Sequence, residues 1–578
     1  MLVNFQSIKL IFGLMAFVFA ASSIAGQQLH GSSADKLQVG LIEQPASAPS
    51  NAFSSDVMFN ILVGEIALQR EDMDLAYKHL LEGASLAKDA VAAERATRIA
   101  LYKKDSAGGL AAVKIWIEFD PKSIKARQIA VMMYVQSGDS VAALEQLKRL
   151  VKLNEADGQD QFSQALVAVA SGKNNDLALS LMQSLALEYA SNAEARYAVA
   201  LVAVMAKKLD VAEAEVRQAI SIDPKMEKAY VLLGRIFMEG GDNAKAMAAM
   251  QQSLQQMPKS KELRSAYARL LIDMNKPELA YQQFQQLSQL SSDNTDAQFS
   301  MGILALELKR YQQAKSHFSA LMKSQRRTQD AIFYLGRTAE MEEKIDDALE
   351  WYGKVASGKY LFNAQARMVA LVAAEDSLQK ARAMLGGMRT RMPERSIDIY
   401  ILEGDILRKH STQDKVVELF NAALVTHPND LDLLYARALS ASVLGRLDIL
   451  ERDIGYILKQ EPNHADALNA LGYTLADQTD RYQEALSYIK KALELKPDSP
   501  AILDSMGWVQ YRLGNNKEAL EYLRRAFEQV QDGEVAAHLG ELLWVTGNKQ
   551  EAQSIIQEAL KKHPDNKYLL KTVKRLGI

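Results

Sequence analysis

Residues 469–498 read NALGYTLADQTDRYQEALSYIKKALELKPD, residues 504–529 read DSMGWVQYRLGNNKEALEYLRRAFEQ, and residues 537–565 read AHLGELLWVTGNKQEAQSIIQEALKKHPD. Laid over one another, the three strings share a glycine (Gly472, Gly507, Gly540) and a later alanine (Ala485, Ala519, Ala552). A second alanine follows seven residues on (Ala492, Ala526, Ala559), and in two strings a proline stands five residues beyond it (Pro497, Pro564). The chain therefore repeats itself here, and a repeat decides the architecture before any single helix does.

Stepped backwards, the same frame starts units at Val57, Ala90, Ile124, Gln159, Ala193, Glu227, Lys261, Thr295, Gln329, Phe362, Ile397, Leu431, Ala465, Pro500 and Gly533. From 57 to 533 is 476 residues in 14 steps, a mean of 34.0. That period, with this glycine, alanine and proline pattern, is that of the tetratricopeptide repeat, two antiparallel helices per unit. The expected fold is all-α: a right-handed solenoid of about fifteen helix-turn-helix units over 57–566, with a capping helix at 567–578. The pattern is clearest at 193–259, 295–359, 397–463 and 465–566 and faintest at 90–156 and 362–395.

Three positions carry the frame. The small residue of the second helix is Ala in 12 of the 15 units, Ala246, Ala485, Ala519 and Ala552 among them, and a small side chain lets paired helices approach. The eighth position of the first helix is Gly in eight units, including Gly234, Gly472, Gly507 and Gly540. Glycine inside a helix costs about 1 kcal/mol against alanine, so its recurrence points to close packing. Eight of the twelve prolines fall at the end of a unit, where proline stops a helix and starts a turn.

Composition narrows the function. The 578 residues are 48% hydrophobic and 24% charged, with a formal net charge of −3 and no cysteine. Without cysteine there is no disulfide, thiolate metal site, cysteine nucleophile or thioester-linked lipid. An isoelectric point near 6.3 lacks the basic signature of a nucleic-acid binder. The chain has no phosphate-cradling glycine loop, no GxSxG elbow and no HExxH. The eight histidines are scattered, and His427 and His563 precede unit-ending prolines, as suits helix C-termini. Neither an enzyme nor a metal or cofactor site is expected.

The first segment differs from all that follows. Lys9 precedes the apolar run Leu10–Ala21, and small residues lead to Ser23-Ile24-Ala25, the layout of a secretory signal cleaved after Ala25. Retention as an anchor is the rival reading, although Leu10–Ala25 is 16 residues where about 20 span a bilayer. Residues 26–56, rich in Ser, Ala, Gln and Gly, read as a flexible tether whose apolar string Val39–Ile42 is a candidate docking segment. The expected location is therefore exported, periplasmic or associated with the outer membrane.

With no catalytic motif, function falls to surface shape. In this repeat class, positions 2, 5, 9, 12 and 13 of each unit line the inner wall. In the last three units they supply Asn469, Tyr473, Asp504, Trp508, Tyr511, Arg512, Glu541 and Trp544, with two of the four tryptophans. Trp, Tyr and Arg dominate binding hot spots. This wall is the expected partner-binding groove, with Trp544 the more open of the two indoles to the rival reading that it packs between units.

The strings NALGYTLAD, AILDSMGWVQYRLG and EVAAHLGELLWVTGNKQEA, within Ala465–Asn566, resemble the envelope tetratricopeptide proteins of Gram-negative bacteria. That family is typified by an outer-membrane lipoprotein adaptor of a periplasmic carboxy-terminal processing protease. The resemblance implies a protein that holds clients, such as peptidoglycan hydrolases, in its groove for that protease. The alternative is an assembly scaffold for a secretion, pilus or polysaccharide export complex. The family's adaptor is anchored through an acylated cysteine, and Ala25-Gly26-Gln27 stands where that cysteine would be. The chain is therefore not expected to be a lipoprotein of that type, and with the signal cleaved its expected envelope association is peripheral.

Overall fold

A computed structural model describes residues 54–156, 162–291, 293–375 and 377–578. The signal segment with Ala25, and residues 26–53 of the tether, lie outside the described residues. Among those described there are 31 α-helices, one 3-10 helix (Pro393–Arg395) and no strand. They divide into two compact parts, one reaching Thr338 and one beginning at Ala339. Within each part, successive helices pair as antiparallel hairpins, and each hairpin stacks on the next.

First helices begin at Ala90, Ile124, Ala193, Glu227, Lys261, Thr295, Leu431, Ala465, Pro500 and Gly533. The opening helix, Ser55–Gln69, starts inside the stretch read as tether because the Ser54 hydroxyl accepts the Val57 amide at 3.3 Å and caps it. Local chemistry explains the other starts. Five of the eight unit-ending prolines are followed two residues later by a capping side chain, Ser123, Ser260, Asp430, His464 and Asn566, and each accepts an amide of the first turn. The end of the first helix is marked in the backbone instead. Lys207, Gly241, Asn275, Lys309 and Glu343 all have φ between +56° and +80°, one repeat apart.

The glycine position is a point of contact. A Cβ on Gly302 would stand 2.5 Å from the Phe318 ring, and one on Gly507 would stand 2.6 Å from Leu523 Cγ. Ala246, Ala485, Ala519 and Ala552 are fully buried, the last three opposite Gly472, Gly507 and Gly540. Small residues thus set the distance between paired helices, and large ones (Phe318, Phe420, Leu523) fill the space beside them.

A polar clasp recurs with the same period. A side chain at the fourth position of the unit reaches one 19 residues later on the second helix: Asn60 with His79, Arg127 with Gln146, Arg196 with Glu215, Arg264 with Gln283, Gln298 with His317. Arg127 and Arg264 also donate to the carbonyls of Pro121 and Pro258, six residues back, which ties the unit to the preceding turn.

The last helix, Lys567–Leu576, buries Leu569 and lays Val573 and Leu576 on Ala536, Ala537, Ile556 and Ala559. Leu570 faces solvent beside Lys571, since one residue step turns it away from Leu569.

Candidate functional site

The candidate wall is built by the helices Ala465–Gln478, Pro500–Arg512 and Gly533–Val545, with the terminal helix Lys567–Leu576 beside them. Asp504, Trp508 and Glu541 do not face an open groove: they are at most 5% exposed and form its floor. The Trp508 indole stacks on the His538 imidazole, with centroids 4.2 Å apart and planes 21° from parallel. His538 Nδ1 lies 2.9 Å from Asp504 Oδ2, the Tyr511 ring 5.3 Å from the indole. Asp504 and His538 are 34 residues apart, so one repeat step brings them together. The expectation that Trp508 is the freer indole is corrected by this packing. Its ring is enclosed between hairpins, while Trp544 is half-exposed with the Lys549 ammonium 5.0 Å from its ring.

A second cluster adjoins the first. The Tyr473 hydroxyl donates to Glu534 Oε1 at 2.6 Å across 61 residues of sequence, and the Tyr568 phenol lies within the influence of the same carboxylate. Tyr511 donates to Glu541 Oε1 at 3.3 Å, and the Arg575 guanidinium pairs with the other oxygen of that carboxylate. Arg512 lies over the Tyr482 ring at 4.8 Å and donates to its hydroxyl and to the Asp477 carbonyl. Asn469 is half-buried, and its Oδ1, like Trp508 Nε1, is buried without a hydrogen-bond partner.

Glu534, His538, Tyr568 and Arg575 were not in the sequence-derived set. Glu534 occupies position 2 of its unit and obeys the inward-facing rule; Tyr568 lies 34 residues later at the same position of the cap. Arg575 likewise stands at position 9 of the cap, 34 residues after Glu541, whereas His538, at position 6, left no such signal, because what it touches is set by the stacking of hairpins.

Electrostatics follow burial. Burial, then the charges of Glu534 and Asp477, push the Tyr473 phenol far above its ordinary range, and burial first pushes Tyr568 up to about 12. Burial also raises the Glu534 carboxyl, against the hydrogen bond from Tyr473. For His538 burial opposes the charge, but Asp504, with Glu534 and Asp477, outweighs it and raises the imidazole. The Ser505 hydroxyl beside Asp504 in sequence donates to the Ala501 carbonyl at 2.8 Å. Among the described residues no group of three or more His, Asp or Glu could hold a metal ion, and no helix is long and apolar enough to cross a membrane. The site is a rigid polar floor carrying a rim of half-buried Tyr473, Tyr511, Arg512 and Trp544, arranged for contact.

Comparison with known proteins finds tetratricopeptide repeats. Residues 213–332 match the cytochrome c-type biogenesis protein H TPR domain, and 463–532, 162–227 and 505–567 match tetratricopeptide repeats. Cellulose synthase operon protein C of Pseudomonas fluorescens is 24% identical over 346 residues, 55% of this chain and 26% of that one. The solved APC/C hetero-tetramer Cut9-Hcn1 aligns over 90% of this chain and 97% of its own at 13% identity and a TM-score of 0.30. TPR repeat-containing protein PA4667 of Pseudomonas aeruginosa is 33% identical over 494 residues, 85% of this chain and 83% of that protein. The chain is a tetratricopeptide-repeat scaffold, of a class that binds other proteins and is generally non-catalytic, and it belongs to the family of that Pseudomonas repeat protein.

Proposed function

We propose that this protein is an adaptor of the cell envelope that holds client proteins on its C-terminal wall for a periplasmic carboxy-terminal processing protease acting on cell-wall hydrolases. The observation that carries the binding part is the rim of Tyr473, Tyr511, Arg512 and Trp544 held on the Asp504, His538 and Trp508 floor, since aromatic and arginine side chains on a preorganised base make hot spots. The protease part rests on the resemblance of Ala465–Asn566 to the envelope adaptors. Export, to the periplasm or the periplasmic face of the outer membrane, rests on the Lys9–Ala25 segment.

The test is to recover the protein from envelope fractions. Its N-terminus is expected at Gly26, and a serine protease of the processing type is expected to co-purify. A paired Arg512→Ala and Trp544→Ala variant should lose clients while keeping its helical circular dichroism. If the chain keeps residues 1–25 in the cytoplasm, or if no such protease co-purifies and no hydrolase accumulates on deletion, the adaptor reading is wrong. A second reading, a scaffold for polysaccharide export, is favoured by the likeness to cellulose synthase operon protein C; it expects membrane export components in the same pull-down and no protease.

A further inference from the structure

The opening helix, Ser55–Gln69, is apolar on two sides. Val57, Asn60, Gly64 and Ala67 face its hairpin partner, Met73–Ala87, and are buried. Met58, Leu62 and Ile66 point the other way, Phe59 sits at the edge with its ring against His79 of the partner helix, and all four are 48–59% exposed. In the last two units positions 3, 6 and 10 of the unit are covered: Ile502, Ser505 and Val509 are buried, as are Val535, His538 and Leu542. In the first unit those positions are Phe59, Leu62 and Ile66. A solenoid end is ordinarily finished with polar residues, because such a stripe is costly in water.

The charges around the stripe indicate what covers it. Met58, Leu62 and Ile66 are spaced evenly, four residues apart, about Leu62, and Asp56 and Arg70 stand seven residues either side of Val63. Both charged residues are exposed, and neither has an ion pair among the described residues. Two copies of the helix laid antiparallel across a two-fold axis near Leu62 and Val63 bring Met58 to Ile66 twice and Leu62 to Leu62. In the same superposition Asp56 of each copy is level with Leu68 of the other, two residues or about 3 Å from Arg70 and within reach of its long side chain. The helix is about 22 Å long at 1.5 Å per residue, so the one-residue difference between the apolar centre at Leu62 and the charge centre at Val63 is small against its length. The tether, by contrast, has one short apolar string, Val39–Ile42.

We propose that the Ser55–Gln69 helix is an isologous dimerisation surface whose occupant is a second copy of this chain. The chain has no cysteine, so Leu62→Cys is a unique probe. Mild oxidation of the protein starting at Gly26 should give a disulfide-linked dimer with Leu62→Cys and none with Val425→Cys, which is 82% exposed and far along the sequence. Light scattering should give twice the monomer mass for the parent. The mass should halve for Leu62→Arg with Ile66→Arg, at unchanged circular dichroism. Asp56→Arg alone should weaken association roughly fivefold, and adding Arg70→Asp should restore it. A parent monomeric at 100 µM would overturn the proposal. If deleting residues 26–53 turns that monomer into a dimer, the occupant is the tether. Equal cross-linking at positions 62 and 425 would also refute it.

Discussion

Replacing Gly472 by alanine should destabilise the C-terminal hairpins, although alanine is the better helix former. A Cβ at Gly472 would lie 2.6 Å from Ile489 Cγ1 and 2.9 Å from the Ala485 carbonyl oxygen. Ile489 is fully buried and β-branched, so its side chain cannot rotate clear. The carbonyl belongs to the backbone of the facing helix, Tyr482–Leu495, and yields only if that helix shifts. Overpacking of this kind costs ~1–3 kcal/mol, with a backbone contact toward the upper end. Against it stands a gain of about 1 kcal/mol from replacing glycine in a helix. The net expectation is a loss of about 1–2 kcal/mol. Gly455, inside the helix Leu447–Gln460, is the control: nothing lies within 4 Å of its Cβ position, so Gly455→Ala should show the propensity gain alone and stabilise. Because a repeat array need not unfold in one step, the reading is amide exchange of Ala465–Leu495, supported by urea melts followed at 222 nm. The reasoning is refuted if both variants stabilise, or if Gly455→Ala destabilises as much as Gly472→Ala.

The raised imidazole of His538 gives stability that is fully present below its unfolded value near 6.5 and is lost as pH rises through its folded value; the raised Glu534 carboxyl, from about 4.5, acts in the same direction. With Asp504, Glu534, Asp477, Tyr473 and Tyr568 around that imidazole, the last hairpin should be more protected from exchange at pH 6 than at pH 8 after correction for intrinsic rates, and His538→Gln should flatten the difference. Arg575→Ala leaves Glu541 buried with Tyr511 as its remaining donor and should loosen Lys567–Leu576 by about 1–3 kcal/mol, read as faster exchange there with helices before Ala465 unchanged. Trp508→Ala with Tyr511→Ala should lower both the melting temperature and client binding, because the indole is part of the floor; loss of binding at full stability would place Trp508 on the contact surface instead. Lys309→Gly should raise stability by up to ~1 kcal/mol, since a left-handed conformation at φ +57° costs a lysine more than a glycine; an unchanged or lower urea midpoint would count against this.

Much of the fold was legible because its determinants are local. Gly302 and Gly507 are glycines because a helix partner occupies the space of their Cβ atoms, and Ser123, Ser260 and Asn566 cap helices two residues after a proline. Such requirements recur wherever the same local geometry recurs, so they appear in the chain as a period. The site was legible in part. The inward-facing rule found Tyr473, Asp504, Trp508 and Glu541, yet it gave position without depth, and Trp508 and Trp544 changed places as the more exposed indole.

The amino-acid sequence by itself determined the all-helical class, the 34-residue unit, the starts of most first helices and the exclusion of thiol chemistry. Only the tertiary structure decided which wall residues are floor and which are rim. It alone joined Tyr473 to Glu534 across 61 residues, placed His538 between Asp504 and Trp508, and left Met58, Phe59, Leu62 and Ile66 uncovered. The physical reason is the range of the interaction. Helix capping and hairpin packing are settled within one unit, whereas burial of a side chain on the inner wall depends on neighbouring units, and exposure at the first helix depends on there being no hairpin stacked before it among the described residues.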